Sequence, residues 1–139
     1  MEKIAITKEA YDHLLSICQQ ALPHEACGVL AGTSASQGEP AIVTSILPIT
    51  NIHPEPTRSF SFHPGEWISI YYDIQKNRQT LVGFFHSHPT SSAVPSKQDL
   101  LGFPASDRQI SYWIISIGNI VQPYRLYEQG FTPLALMLT

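Results

Sequence analysis

The chain has 139 residues, of which 43% are hydrophobic and 14% charged, and its net charge at pH 7 is -3. This length suits one domain, and the apolar content excludes an intrinsically disordered protein. The lack of a basic excess argues against a nucleic-acid-binding protein, and two cysteines are too few for a disulfide-stapled fold. We therefore expect residues 1–139 to form a single domain.

The N-terminal sequence carries charges without an apolar run behind them, and no stretch approaches the roughly 20 apolar residues that a membrane span needs. We therefore expect a cytoplasmic protein that binds no membrane. In that compartment Cys18 and Cys27 are predicted to be reduced thiols rather than a disulfide. The low charge density is compatible with a homodimer.

Helical and strand patterns alternate in the first part of the chain. Apolar residues three and four apart predict a helix that is capped by Thr7, runs to about Leu22 and ends at Pro23. A second helix is predicted from Pro64, because proline suits the first helical position, with His63 as a candidate cap. Apolar or alternating stretches predict strands at residues 27–32, 41–47, 58–63 and 81–88, with an ordered loop at 48–57.

Strand patterns cluster in the last third of the chain. A short helix is predicted at residues 96–101, followed by strands at 112–117, 123–127 and 134–138. Helices that alternate with strands early, followed by a cluster of strands, predict an α/β fold: a mixed β-sheet flanked by helices.

The densest chemistry lies just after the apolar strand at residues 81–88. His86 and His88 are two residues apart, so in a strand both imidazoles point to the same side and can share one metal ion. Asp99, on the next helical turn, is a candidate third ligand. Two histidines and one carboxylate, with water in the fourth position, are typical of catalytic zinc, and imidazole nitrogen favours zinc over magnesium.

The same residues also allow a purely structural interpretation. Ser96 and Asp99 match a capping box, in which a serine and an acid three residues later satisfy the first N–H groups of a helix. Histidines two residues apart also occur by chance. From these residues alone, a metal site and a simple helix cap both stay open.

Taken whole, the pattern His-x-His-Pro, six residues, Ser, two residues, Asp resembles the signature of the JAMM (MPN+) zinc metallopeptidases, with this chain similar to a short bacterial member. Glu25, after the first helix and before a glycine-containing strand, falls where that family carries a catalytic glutamate. The segment at 51–66 and the strand at 112–117 are also similar, so the resemblance covers nearly the whole chain. It implies a cytidine-deaminase-like architecture.

The resemblance also implies a chemistry. Zn²⁺ would be held by His86, His88 and Asp99, with Glu25 as the general base for a zinc-bound water and Ser96 as a hydrogen-bond donor to the oxyanion. The implied reaction is hydrolysis of the amide bond after the C-terminal Gly-Gly of a ubiquitin-like protein. Because the chain is compact and lacks long insertions, a ubiquitin-like sulfur-carrier protein is the expected partner.

Two alternatives to this isopeptidase stay open. One is a zinc hydrolase of another small peptide or amide, since fold resemblance does not define the substrate. The other is a catalytically silent interaction module, which the complete residue set disfavours. Cys27 is interpreted as a small buried hydrophobic residue, and Trp67, Tyr71 and Trp113 as packing residues.

Overall fold

The computed structural model describes residues 1–104, 109–116 and 118–139, and within them the chain forms eight strands and two α-helices. The strands are β1 (Lys3–Ile6), β2 (Cys27–Thr33), β3 (Ile42–Ile49), β4 (Thr80–His88), β5 (Ser111–Ser116), β6 (Ile120–Tyr127), β7 (Gly130–Pro133) and β8 (Ala135–Leu138). The helices are α1 (Lys8–Ala21) and α2 (Pro64–Lys76), and a short 3-10 helix spans Lys97–Gly102.

All eight strands belong to one sheet, in the order β7-β6-β5-β4-β2-β3-β1-β8. The sheet is mixed: β1 runs parallel to β3 and β8, and β4 runs parallel to β5, while the other neighbouring pairs are antiparallel. Strand β4 lies in the middle, between β2 and β5, and its last seven residues are buried. The predicted fold class, a mixed sheet flanked by helices, is confirmed.

Helix α1 forms where its apolar spacing predicts. The hydroxyl of Thr7 accepts a hydrogen bond from the Ala10 backbone N–H at 3.2 Å, which satisfies one of the free donors at the helix start. Ala10, Leu14 and Cys18 are buried on its inner face. They pack with Phe85 and Trp113 into a core on one side of the sheet.

Helix α2 also begins as predicted, and it contributes to a second core. Pro64 lies in its first turn, and His63 Nδ1 accepts a hydrogen bond from the Glu66 backbone N–H at 3.1 Å. Its buried Ile74 packs in a cluster with Phe84 and Phe62. Because successive side chains of β4 point to opposite faces, Phe84 and Phe85 belong to different cores, and the sheet is packed on both sides.

The prediction of a strand at residues 58–63 is wrong. Apart from an isolated bridge between Phe62 and Asn51, this stretch is loop, because its backbone N–H groups bond to acceptors in residues 50–55 and at Gly102 rather than along a neighbouring strand. The predicted alternation is nevertheless real, since Phe60 and Phe62 are both buried in the core next to α2.

Strands β1 and β7 were not predicted. Each has four residues, which are too few to show an alternating pattern. Strand β1 depends on β3 and β8, which are distant in sequence, and β7 depends on a tight turn that pairs it with β6. The predicted strand at 112–117 is found as β5, but its last residue, Ile117, lies outside the described residues.

Neither α-helix in the described part of the chain is long and apolar enough to cross a membrane.

Candidate metal centre

Strand β4 carries two histidines at its C-terminal end, and both imidazoles lie on the same face. His86 and His88 are buried, with exposed fractions of 1% and 7%, and their Nε2 atoms are 2.9 Å apart. Ser87, between them, points to the opposite face of the sheet, where its Oγ accepts a hydrogen bond from the Ala26 backbone N–H at 2.7 Å. The alternation of a strand therefore produces the pair, as the sequence predicts.

The 3-10 helix that follows the strand brings Asp99 to these imidazoles. Its carboxylate oxygens lie 3.2 Å from His86 Nε2 and 3.4 Å from His88 Nε2. The same carboxylate completes a capping box: the Ser96 backbone N–H donates to Asp99 Oδ2 at 2.9 Å, and the Asp99 N–H donates to Ser96 Oγ at 3.3 Å. The two interpretations of Asp99 are thus compatible, because the capping bond holds the carboxylate that faces the histidines.

These three side chains fit a small divalent cation. One ligand atom from each of His86, His88 and Asp99 lies within 4.8 Å of the others. With metal–ligand bonds of about 2.1 Å, tetrahedral zinc separates its ligand atoms by about 3.4 Å, which is close to the two histidine–carboxylate distances here. Two nitrogens with one oxygen, held in a buried site, are a donor set that suits zinc better than magnesium.

The electrostatics of the cluster prepare it for a cation. Burial lowers the pKa of His86, which favours the neutral imidazole with a lone pair available. Burial acts to raise the pKa of Asp99, but the hydrogen bonds to His86 and His88 outweigh it and hold that pKa far below its usual range. The carboxylate is therefore charged at every physiological pH.

The tautomer of His88 is defined by a backbone contact. Its Nδ1 lies 2.7 Å from the carbonyl oxygen of Ser92, which can only accept, so Nδ1 carries the proton and donates. Nε2 is then left with its lone pair toward the cluster. Burial acts to lower the pKa of His88, whereas the contacts with Asp99 and Ser92 raise it and prevail. A backbone carbonyl that orients a histidine in this way is typical of metal ligands.

Glu25 lies beside the cluster in a buried position. It precedes β2, is only 6% exposed, and interacts electrostatically with His88 and Asp99. Burial raises the pKa of its carboxyl to about 7, and Asp99 adds to that shift while His88 opposes it. Among the described residues, no hydrogen-bond partner reaches Glu25 Oε1. The structure thus brings a carboxyl group with a near-neutral pKa next to the predicted ligands.

Ser96 is the N-cap of the 3-10 helix and is exposed. Its hydroxyl oxygen accepts the Asp99 N–H, so the hydroxyl proton is still available for donation. The predicted role of Ser96 as a helix cap is therefore confirmed. Its role as a hydrogen-bond donor to an oxyanion stays a prediction.

The sequence does not indicate several of the contacts around the centre. The ring of Phe60 stacks on His86, with centroids 4.5 Å apart and planes 25° apart. Gly102 lets this ring approach, because a Cβ at that position would lie 2.4 Å from the Phe60 ring. Asn51 bonds the backbone of Glu25. These contacts join segments that are distant in sequence, so no local pattern indicates them.

The cysteines and the large aromatic residues for which the sequence predicts no functional role lie away from the metal ligands in sequence, and most of them are buried. Both cysteines are free and buried, and burial raises the pKa of each thiol to about 12. Trp113 is fully buried and Trp67, half-buried on α2, packs against the core, so the packing interpretation of both is confirmed. Tyr71 is exposed and contacts Trp67, so its predicted place in the core is wrong.

Comparison with known proteins agrees with the geometry. Residues 7–127 match the family described as prokaryotic homologs of the JAB domain. A desampylase from Haloferax volcanii is 34% identical over 115 residues, which cover 80% of this chain and 74% of that protein. A probable TtuB-protein conjugate cleaving protease from Thermus thermophilus is 26% identical over 95 residues, which cover 68% of this chain and 57% of that protein.

A solved structure extends the similarity to the whole fold. The solution structure of a protein from Desulfitobacterium hafniense superposes with a TM-score of 0.83 at 32% identity, covering 98% of this chain and 92% of that one. The family match, the fold and the cluster of two histidines with one carboxylate support the same assignment. The chain belongs to the prokaryotic JAB family, of the JAMM (JAB/MPN) peptidase type.

Proposed function

We propose that this protein is a zinc-dependent isopeptidase that hydrolyses the amide bond after the C-terminal Gly-Gly of a ubiquitin-like protein. The observation that carries the proposal is the buried triangle of His86, His88 and Asp99 with the Glu25 carboxyl beside it. Bound zinc would supply a Lewis acid that activates water and polarises the scissile carbonyl. His86 and His88 would hold it through Nε2, and Asp99 through its carboxylate.

Glu25 acts as the general base and then as the general acid. Burial raises the pKa of the Glu25 carboxyl to about 7 in the metal-free protein, and a bound cation would favour its ionised form, which accepts a proton. Its carboxylate takes a proton from the attacking water as the new carbon–oxygen bond forms. It then gives that proton to the leaving amine as the carbon–nitrogen bond breaks. The burial of Glu25 supports this role, because burial is what raises its proton affinity.

Ser96 donates a hydrogen bond from its hydroxyl to the oxygen that becomes negative at the attacked carbonyl. Its oxygen is already held by the Asp99 N–H, so the hydroxyl is oriented before substrate binds. Loss of one such donor typically costs about 3 to 4 kcal/mol of transition-state stabilisation.

The names of the relatives support the substrate class. One is a desampylase, and the other is a probable protease that cleaves protein conjugates. Cleavage of a protein conjugate is the reaction class proposed for this chain, and glycine at the cleaved end would allow the backbone to approach a metal closely. The compact chain of 139 residues favours a small sulfur-carrier protein as the modifier. A homodimer, a single domain over residues 1–139 and a cytoplasmic location stay predictions.

The test is cleavage of a ubiquitin-like carrier extended beyond its Gly-Gly, followed by intact-mass measurement with and without a chelator. We expect mass loss at the Gly-Gly end that the chelator abolishes and that Glu25→Gln abolishes while zinc stays bound. The matched control is Glu55→Gln, which changes an exposed carboxyl in a loop and keeps full activity. Absence of chelator-sensitive cleavage across several carriers would contradict the proposal and favour hydrolysis of a small peptide or amide.

A further inference from the structure

The loop that follows β3 is gathered around one amide side chain. Asn51 Nδ2 donates to the carbonyl oxygens of Glu25 and Ser59, both at 3.0 Å, and Oδ1 accepts the backbone N–H groups of His53 at 3.0 Å and Ser61 at 3.1 Å. An amide offers two donors and one acceptor with two lone pairs, so its capacity is filled. Only an amide at this position satisfies carbonyls on one side and N–H groups on the other.

The backbone of Glu25 is anchored from two directions. On the loop side, its N–H donates to the Pro56 carbonyl at 2.7 Å, and its carbonyl accepts from Asn51. On the side of β4, the neighbouring Ala26 N–H donates to Ser87 Oγ at 2.7 Å, and the Ser87 N–H donates to the Ala26 carbonyl at 2.9 Å. The two bonds between Ala26 and Ser87 hold this segment against β4, which carries the histidines. The bonds of Glu25 itself depend on the loop that Asn51 holds.

The Glu25 side chain takes its position from this backbone. Its Oε1 is buried and has no hydrogen-bond partner among the described residues, so no hydrogen bond to them holds that oxygen in place. A shift of the loop would therefore move the carboxyl relative to His86 and His88. A displacement of about 1 Å of a reacting group is enough to lower a rate by up to about 100-fold.

We propose that Asn51 is a positioning residue that holds Glu25 against the metal centre, by bonding its carbonyl and by closing the loop whose Pro56 receives its N–H. This inference rests on the proposed function, in which Glu25 handles the proton. Asn51 touches neither the metal ligands nor the reacting atoms. Because it also bonds Ser59 and Ser61, on either side of the Phe60 that stacks on His86, the zinc content of each variant is measured beside its kcat.

The first test is Asn51→Asp, which keeps the Oδ1 acceptor and removes both donated hydrogen bonds. We expect kcat to fall about tenfold or more, KM to change less than about twofold, and zinc to stay stoichiometric. The matched control is Gln122→Glu, because Gln122 also donates one amide to two carbonyls, of Pro123 at 2.8 Å and Leu134 at 3.1 Å, without contacting Glu25. The control keeps wild-type kcat.

A double-mutant cycle separates positioning from general destabilisation. If Asn51 acts through Glu25, then Asn51→Asp has little further effect on the residual rate of Glu25→Gln. The proposal would be overturned if Asn51→Asp lowered kcat by the same factor in the wild type and in Glu25→Gln. It would also be overturned if Asn51→Asp kept the wild-type kcat. Should the aspartate variant not fold, Asn51→Ser takes its place, since its hydroxyl is too short to bond both carbonyls.

A second readout does not depend on activity. Hydrogen exchange of the Glu25 amide, followed by NMR, should be about tenfold faster in Asn51→Asp than in the wild type, while amides of α1 keep their protection. An unchanged exchange rate at Glu25 would refute the positioning role even if the variant loses activity. If the wild-type protein cleaves no carrier, the proposed function fails, and this measurement still decides whether Asn51 holds the Glu25 backbone.

Discussion

Replacement of Glu25 by glutamine should make the metal-free protein more stable at alkaline pH. The buried carboxyl has a pKa of about 7 in the folded protein, against 4.5 for an ordinary glutamate. A raised pKa means that the folded state prefers the protonated carboxyl. The free-energy cost of burying the Glu25 carboxyl is therefore absent below about pH 4.5. It increases between about pH 4.5 and pH 7, and above pH 7 it is constant.

The size of the effect follows from the two ionisation equilibria. With these pKa values, the ionised carboxyl destabilises the fold by about 1 kcal/mol at pH 5 and about 3 kcal/mol at pH 8. The neutral glutamine has about the same shape and no titration. The stability of Glu25→Gln minus that of the wild type should therefore increase by about 2 to 3 kcal/mol between pH 5 and pH 8.

The assay is urea unfolding of both proteins in the presence of a chelator, at pH 5, 6, 7 and 8, with stability taken from the midpoint and slope. The control is Glu66→Gln. The Thr50 N–H bonds to the Glu66 carboxylate and lowers its pKa, so its stabilising effect is lost only on acidification, below this pH window. The unfolding free energy of Glu66→Gln minus that of the wild type should be constant from pH 5 to 8. If the same difference for Glu25→Gln were also constant, the claim that burial controls the ionisation of Glu25 would be refuted.

Three further predictions concern the metal centre and the thiols. His88→Ala should abolish stoichiometric zinc binding, because it removes one of three ligands; a mutant that retains one zinc per chain by elemental analysis contradicts the ligand assignment. Gly102→Ala should push on the Phe60 ring, lower stability by about 1 to 3 kcal/mol and weaken zinc affinity in a chelator competition titration, and an unchanged affinity argues against this packing role. Cys18 and Cys27 should react with a disulfide reagent at pH 8 only after unfolding, because burial raises both pKa values to about 12; rapid labelling of the native protein would oppose this.

The failed strand at residues 58–63 shows where a local pattern stops being informative. Alternating Phe60 and Phe62 correctly predicted burial, because alternation reflects which side of an extended backbone faces the core. Whether the backbone becomes a strand depends on a partner strand. Here the N–H groups bond instead to acceptors in residues 50–55 and at Gly102. The pattern cannot distinguish these outcomes, since both bury the same rings.

The short strand β1 is the opposite case. Its three buried residues at positions 4–6 are too few to show a period, yet the strand lies between β3 and β8, which are about 40 and 130 residues further along the chain. Its existence is decided by those partners. The same reasoning applies to β7, which pairs with β6 at one edge of the sheet formed by the described strands.

The amino-acid sequence by itself determined the helices, the central strands and the chemistry that the motif implies. Caps, apolar periods and the His86–His88 spacing are local features, and local backbone geometry converts them directly into faces and ends of elements. Tertiary structure alone decided that Asp99 meets both imidazoles while it caps a helix, and that Glu25 is buried beside them. Those outcomes depend on distances between segments up to 74 residues apart in the chain. Such distances are set by how the sheet and its loops pack, and no stretch of sequence contains them.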